Sequence, residues 1–379
     1  MTTTTVNSSS ATPFTRRGLI TVGGGLAMSA TLLPRAAAEA APSMAGLVLS
    51  LPAPTGRHPV GTRLLHVTDP SRVDPVAGDG RMREMMIRLW YPTTSRRTRP
   101  DARYLSPVLS SVLVSQLNAI TGISLPEDLL TFRTHSRQDA PIAADACRHT
   151  VVFSPGLGTN AAIYTNLMEE LASRGYVVAG IDHTFDAIVE FPDGRVEPPA
   201  ENVSVDLLLT VRTADVTTVI DRLGADGMSR GGVAAIGHSL GSLTAVQAIL
   251  NDPRIRAGVA LDGNPLGPAS LDRPFLMLGN ESHRRSTDPD WAGFYDRLRG
   301  SRLHLVVAGA EHYDLSDIAA FKAAIDFGSV AEVGPIDGLR AIAITRAYVA
   351  AWLDFSLSAR GSHLLRREPG RFPEVDFQP

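Results

Sequence analysis

The serine of Gly237-His238-Ser239-Leu240-Gly241 stands where two segments of opposite character meet. Before it runs Val233-Ala234-Ala235-Ile236, apolar and β-prone; after it runs Leu243-Thr244-Ala245-Val246-Gln247-Ala248, which reads as helix. A serine at a sharp strand-to-helix corner is forced into strained backbone angles and its Oγ is pushed out of the sheet, which is the setting of a nucleophile. Only small residues two positions to either side avoid a clash, and Gly237 and Gly241 are those residues. The same pattern recurs as Gly227-Met228-Ser229-Arg230-Gly231, but that copy lies in a polar loop ahead of the strand, so its context rejects it.

A serine hydroxyl is a poor nucleophile at neutral pH, so it needs a histidine to take its proton and a carboxylate to orient that histidine. Downstream of Ser239 the histidines are His283, His304, His312 and His363. His304 falls inside a predicted strand and His363 in a charged tail. His312 follows the strand Leu303 to Val307 through Gly309-Ala310-Glu311, in a loop at the carboxyl edge, and is the expected general base; His283 is its rival. Two acids are open. Asp262 ends the strand after the elbow helix, whereas Glu281 lies just past the following strand, a position that the general logic of such sheets favours. Either also has a plain structural use, Asp262-Gly263 as a turn and Glu281 as a cap.

Acyl chemistry further needs two backbone N–H groups aimed at the developing oxyanion. Leu240, directly after the nucleophile, is expected to give one. Ser154-Pro155-Gly156-Leu157-Gly158 occupies the place of the other, with Leu157 the expected donor and Gly156 and Gly158 letting the backbone bend toward substrate. Gly156, Gly158 and His238 are therefore expected to contact substrate.

These residues have to be carried by a regular framework, and the hydrophobic pattern supplies one. Arg83 to Tyr91 alternates as a strand, and residues 105–131 carry a helical stripe (Leu109, Val112, Leu113, Leu117, Ile120) broken at Pro107 and ended near Gly122. That stripe either packs on the core or rims the site as a lid. Thr150 to Phe153 is a buried strand; Tyr164, Leu167, Met168 and Leu171 mark an amphipathic helix stopping at Gly175; Tyr176 to Ile181 is again a strand. Strand, helix, strand at that spacing is a parallel unit. The loop from Asp182 to Pro199 contains His183, Asp186 and Glu190; the pairs Asp182/His183 and Asp186/Glu190 imitate a metal site, but a loop of solvated polar residues is the simpler reading. A helix through Val216, Val219, Ile220 and Leu223 leads to the elbow strand, and strands are expected at Ala257 to Leu261, Pro274 to Leu278 and Arg302 to Val307 before a last helix from Gly338 to Phe355. Residues 42–62 read as a surface wrap. The alternation predicts an α/β protein with a doubly wound, mostly parallel sheet and helices on both faces.

Composition narrows the function. The 379 residues are 44% hydrophobic and 20% charged with a formal net charge of −3, and no basic cluster is interleaved with aromatics, which argues against a nucleic-acid partner. A single cysteine, Cys147, excludes an internal disulfide framework and a cysteine zinc site. Residues 1–40 read as a twin-arginine export signal: Thr15-Arg16-Arg17-Gly18, an apolar run from Leu19 to Leu33, and Ala36-Ala37-Ala38 for cleavage. Residues 41–379 are then expected to form one domain, secreted in folded form.

With these residues placed, the chain resembles the plasma-type platelet-activating-factor acetylhydrolases and their bacterial lipase and esterase relatives in the α/β-hydrolase superfamily. The resemblance extends from Arg88-Leu89-Trp90-Tyr91-Pro92 to the His312 loop, and rests on Phe153-Ser154-Pro155-Gly156-Leu157-Gly158, the Ser239 corner and Gly258-Val259-Ala260-Leu261-Asp262-Gly263. It implies an α/β-hydrolase fold, selects Asp262 over Glu281 as the acid, and supports Leu157 and Leu240 as oxyanion donors. It implies no metal and no organic cofactor. Pro155 departs from it, since family members often have His there, and this bears on substrate specificity. The expected activity is hydrolysis of hydrophobic acyl or lipid-like esters, with transient contact with a lipid surface. A polyester hydrolase, an acyltransferase and a non-catalytic lipid carrier are the other functions this fold would allow. Oligomeric state is not legible in the sequence.

Overall fold

Valine, isoleucine and alanine dominate the predicted strands, and in the computed structural model these runs become the centre of a single twisted sheet. The structure describes residues 47–379 except 96–97, 147–148, 264–269, 326, 328–331 and 367–369, so the expected export signal and Cys147 lie outside it. The strands are β1 (Val60–Val73), β2 (Met82–Pro92), β3 (Asp101–Arg103), β4 (Arg133–Gln138), β5 (His149–Ser154), β6 (Tyr176–Asp182), β7 (Val189–Glu190), β8 (Val196–Glu197), β9 (Val233–His238), β10 (Ile255–Leu261), β11 (Phe275–Gly279), β12 (Arg302–Val307) and β13 (Val375–Phe377). The helices are α1 (Pro107–Thr121), α2 (Thr165–Ser173), α3 (Val205–Ala225), α4 (Leu240–Asn251), α5 (Pro289–Arg297), α6 (Ile318–Phe321) and α7 (Gly338–Ser358).

Among the described residues the main sheet runs β13-β12-β11-β10-β9-β5-β6-β2-β1-β4-β3, with β7 and β8 as a separate hairpin. From β12 to β6 neighbouring strands are parallel; β13 and the β2–β1 wing join antiparallel. This is the α/β-hydrolase fold. Alternate residues of the central strands serve opposite faces: Val151, Phe153, Ile236 and Val259 pack under α2 and α7, while Val152, Ala179 and Ala260 pack against α3, α4 and α5. Each of the valine, isoleucine and phenylalanine side chains taken fully out of water contributes roughly 1.5–3 kcal/mol of transfer free energy.

Three expectations need correction. Pro107 does not interrupt α1 but starts it, behind an N-cap at Ser106 whose Oγ accepts from the Leu109 N–H; proline suits the first turn because its missing N–H would have no helical partner there. The helix ends at Gly122 in the left-handed region (φ 72°), and packs through Leu109 and Val114 into a cluster with Tyr104 and Phe321. The Ile120 side chain lies outside the described atoms. Second, the polar face of α2 is not turned to water: all nine of its residues are buried. Glu170 is satisfied by the Thr55 amide and hydroxyl at 2.7 and 2.6 Å, whereas Glu169 accepts from the Ser136 hydroxyl at 2.6 Å through one oxygen only, its other oxygen being buried without a partner among the described residues. Third, the end of the segment expected to wrap the surface is the start of a strand: β1 begins at Val60 and pairs along nearly its whole length with β2.

Candidate active site

At the carboxyl edge of the sheet, β9 stops at His238 and α4 starts at Leu240, leaving Ser239 alone at the corner with φ 54° and ψ −124°. That left-handed backbone is strained for a residue with a Cβ. The flanking glycines are dictated by contact. A methyl at Gly237 would lie 1.8 Å from the Gly241 carbonyl oxygen, and one at Gly241 would lie 1.9 Å from that of Ser154. The second Gly-x-Ser-x-Gly copy is at the opposite, amino end of β9, where the Ser229 hydroxyl accepts from Thr150 at 3.1 Å.

Strand register brings the acid next to the serine. Leu261 pairs with His238, so the following residues Asp262 and Ser239 are neighbours, and the Ser239 N–H donates to the Leu261 carbonyl at 3.0 Å. Asp262 is buried and accepts from the Asn280 amide at 2.6 Å, the Asn280 side chain at 3.1 Å and His312 Nδ1 at 2.6 Å. His312 lies in a short turn, His312–Leu315, entered through Gly309 in the left-handed region and fixed by Asp314, which accepts from the Glu311 and Gly334 amides at 2.9 and 2.6 Å. Because Nδ1–H is given to Asp262, Nε2 is the ring nitrogen left to take a proton. Burial opposes the charged imidazole, yet the hydrogen bond and charge of Asp262 raise the His312 pKa above its ordinary value. Burial likewise opposes ionised Asp262, but His312 holds its pKa down.

The rival residues face elsewhere. Glu281 is exposed and its nearest ion-pair partner is Arg284 at 3.6 Å. His283 stacks on Trp291 with centroids 4.1 Å apart and bonds Asp288 through Nδ1 at 2.8 Å, while its Nε2 stands 3.7 Å from Asp262 Oδ1, farther than the 2.6 Å of His312 Nδ1 from Oδ2. His304 is buried within β12, donating from Nε2 to the His283 carbonyl at 2.9 Å.

The loop after β5 lies against the corner, since a methyl on Gly156 would touch Ser239 Cβ at 3.4 Å. Leu157 is half-buried, and its N–H has no hydrogen-bond acceptor among the described residues. Leu240 opens α4, where the first N–H groups have no helical acceptor. Gly156 thus belongs to the wall of the site. The other two residues expected to bind substrate have their polar groups engaged within the protein. The Gly158 N–H is already donated to Asp186 at 2.8 Å, and His238 is fully buried with both ring nitrogens occupied. His238 Nε2–H donates to the His312 carbonyl at 2.9 Å, so Nδ1 accepts from the Tyr164 hydroxyl at 2.9 Å. Burial and the nearby His312 push the His238 pKa down to about 3, keeping that arrangement neutral.

The loop after β6 is the clearest departure from expectation, because Asp182, His183 and Asp186 are buried and Glu190 half-buried rather than solvated. Asp182 accepts from the Ala161 amide at 2.7 Å, Asp186 pairs with Arg212 at 2.6 Å, and Glu190 accepts from the Ser106 hydroxyl. His183 bridges Ser154 and Asp215, both at 2.9 Å. Sequence reasoning missed Arg212 and Asp215, although a trace of them was visible: they share the apolar stripe of α3 with Val216 and Val219.

Comparison with known proteins agrees with the architecture. The family described as "Platelet-activating factor acetylhydrolase, isoform II" matches residues 46–190, and that described as "PET hydrolase-like" matches residues 139–325. A probable 1-alkyl-2-acetylglycerophosphocholine esterase of Arthroderma benhamiae is 28% identical over 378 residues, covering 86% of this chain and 93% of its own. The platelet-activating factor acetylhydrolase of Cavia porcellus is 24% identical over 61% of this chain and 63% of its own. Among solved structures, a ferulic acid esterase from Streptomyces cinnamoneus superposes with a TM-score of 0.77 at 34% identity, over 88% of this chain and all of that one. Fold and relatives together define a carboxylic ester hydrolase. The chain belongs to the esterases of the α/β-hydrolase superfamily and is similar in sequence to the platelet-activating factor acetylhydrolases.

Proposed function

We propose that the protein is an exported serine ester hydrolase acting on hydrophobic acyl or lipid-like esters. His312 Nε2 takes the Ser239 hydroxyl proton as Oγ attacks the ester carbonyl, and Asp262 holds the imidazole in the required tautomer and stabilises it when charged. The Leu157 and Leu240 amides stabilise the tetrahedral oxyanion. Collapse breaks the ester C–O bond, the leaving alkoxide takes the proton from His312, and water repeats the cycle on the acyl-enzyme. The observation that carries this reading is the Asp262–His312 hydrogen bond of 2.6 Å beside a serine held at φ 54°.

The lipid-like preference draws support from the relatives named for acetylglycerophosphocholine and platelet-activating factor, and from the aliphatic character of Leu157 and Leu240. Export draws on Arg16-Arg17 and the apolar run after them. A second reading, hydrolysis of an extracellular polyester, is favoured by the PET hydrolase-like match over residues 139–325.

The test is hydrolysis of 4-nitrophenyl esters of increasing acyl length and of a polyester film, beside Ser239→Ala. Ester hydrolysis that disappears in the variant is expected. Equal activity in the variant, with no fluorophosphonate labelling of the native enzyme, would defeat the reading.

A further inference from the structure

Behind the candidate active site lies a second serine–histidine–aspartate chain. The Ser154 hydroxyl donates to His183 Nε2 at 2.9 Å, and His183 Nδ1–H donates to Asp215 Oδ2 at 2.9 Å. The connectivity repeats that of an active triad, but its setting excludes attack on a substrate. Ser154, His183 and Asp215 are 2%, 1% and 0% exposed, and Ser154 continues β5 with ordinary strand pairing instead of standing on a corner. Its Oγ also accepts from Arg212 Nη2 at 3.1 Å, which draws electron density away from the oxygen.

What this chain touches is the loop proposed to hold the oxyanion. Ser154 is its first residue. Arg212 Nη2 also donates to the Pro155 carbonyl, and Arg212 Nη1 binds Asp186 at 2.6 Å, whose other oxygen accepts the Gly158 N–H at 2.8 Å. The loop is therefore gripped at Ser154, Pro155 and Gly158, while Leu157 between them is left half-buried with its N–H unengaged among the described residues. The grip is itself anchored, for Asp215 is bound by Arg83 at 2.6 and 3.1 Å and by Arg72 at 2.7 Å, and Arg83 also binds Asp74 at 2.9 Å.

We propose that Ser154, His183 and Asp215, acting with Arg212 and Asp186, are positioning residues that hold the Leu157 amide where the oxyanion forms. The proposal rests on the reading of Ser239 as nucleophile and of Leu157 as donor. A buried ionic cluster adds little net stability compared with well-packed apolar residues, because desolvating its charges offsets their attraction. What it does supply is a fixed geometry, and an oxyanion donor needs that fixity because it must not reorganise as charge develops. A neutral His183 can hold both ends of the chain at once. Burial and the adjacent Arg212 push its pKa down to about 4 against the pull of Asp215, so it donates at one nitrogen and accepts at the other throughout the neutral range.

The experiment compares His183→Leu, His183→Gln and Ser154→Ala with the native enzyme, using a 4-nitrophenyl ester, an alkyl trifluoromethyl ketone that forms an oxyanion adduct with the serine, and a fluorophosphonate to identify the labelled residue. His183→Leu is expected to lower kcat about 10²-fold with KM changed by less than about threefold, and to weaken the ketone in parallel. A glutamine side chain both donates and accepts, so His183→Gln is expected to recover at least about tenfold of that loss. Ser154→Ala, the smallest perturbation, is expected to cost about tenfold in kcat alone, and decides the matter if His183→Leu does not fold. Unchanged kcat in the folded variants, or a kcat loss with undiminished ketone affinity, overturns the positioning role while normal labelling of Ser239 leaves the hydrolase reading intact. Failure of native Ser239 to be labelled overturns the hydrolase reading, and the positioning role with it.

Discussion

His238 and His312 are coupled through two contacts: their rings lie 4.4 Å apart, and His238 Nε2–H donates to the His312 carbonyl at 2.9 Å. The residue before the proposed nucleophile thereby supports the proposed base. The tautomer of His238 is set in turn by the Tyr164 hydroxyl on its other nitrogen. Tyr164→Phe leaves a buried ring nitrogen without a donor, a loss worth about 1–3 kcal/mol. The expected result is a lower Tm together with a roughly tenfold smaller kcat, measured by thermal unfolding and ester hydrolysis. An unchanged kcat would detach His238 from the positioning of His312.

Asp262→Asn removes the carboxylate that orients and stabilises the imidazole, and is expected to reduce turnover by about 10³ to 10⁴. Glu281→Gln, at an exposed position, is expected to remain within about twofold of the native rate. Kinetics of the two folded variants on one ester checks this, and the opposite ranking would reassign the acid.

Hydrolysis requires neutral His312, whose pKa is raised by Asp262. The acid limb of kcat/KM is therefore expected to have its midpoint above the ordinary imidazole value of about 6.5, and activity rises with pH through it. Because the raised value favours the protonated folded state, His312 contributes stability below about pH 6.5 that is lost as pH rises through its folded pKa. A midpoint at or below about 6.5 in the native enzyme would contradict the pairing.

Two buried groups outside the proposed triad should tilt the pH dependence of stability in opposite directions. His304 is held neutral, its pKa lowered to about 4 by burial. Between about pH 4 and 6.5 the unfolded chain binds the proton that the folded chain refuses, so this group makes stability rise with pH by about 1.4 kcal/mol per unit. Burial raises Asp317 to about 7, so between about pH 4 and 7 the folded state holds the extra proton and this group makes stability fall with pH. In denaturant titrations across that window, His304→Gln is expected to flatten the rise of stability with pH, and Asp317→Asn to steepen it. Slopes equal to the native one in both variants would refute these assignments.

Gly237→Ala places a methyl 1.8 Å from the Gly241 carbonyl, a backbone atom that cannot step aside without moving α4. Loss of the folded protein, or a Tm reduction far beyond that of an ordinary surface substitution, is expected by calorimetry. Near-native stability would mean that the corner is looser than its geometry requires.

Much of this site is legible in the chain because its parts obey local rules. Apolar strands followed by helices mark the central elements and their parallel pairing, and a serine between two glycines at a strand end permits few backbone conformations. Choosing Asp262 over Glu281 is different, since both end strands in the same way. In the sequence only the family resemblance selects between them; in the fold, it is Asp262 that bonds His312, at 2.6 Å. Other features escape because they are settled by partners distant in sequence. The alternation of β1 is weak, with exposed Leu64 and Val73, and its place depends on pairing with β2. The glutamates of α2 suggest a wet face, yet Thr55 and Ser136 dry them. His183 and Asp186 look like loop residues until Arg212 and Asp215 arrive from α3.

The covering of α2 also sets a condition on when the molecule can be completed. Residues 52 and 53 present their carbonyls to Arg346 Nη2 and Nη1 at 2.8 and 3.0 Å, across 294 and 293 positions of chain. Arg346 in addition reaches Asn166 at the start of α2. The carbonyls of residues 52 and 53 therefore meet these partners only once α7 has been made, although Thr55 and Gly56 are seated on α2 without it. Closure of so long a loop is slow compared with local pairing. A chain lacking α7 would hold α2 with one flank open to water, so the covering of α2 is complete only when α7 has docked.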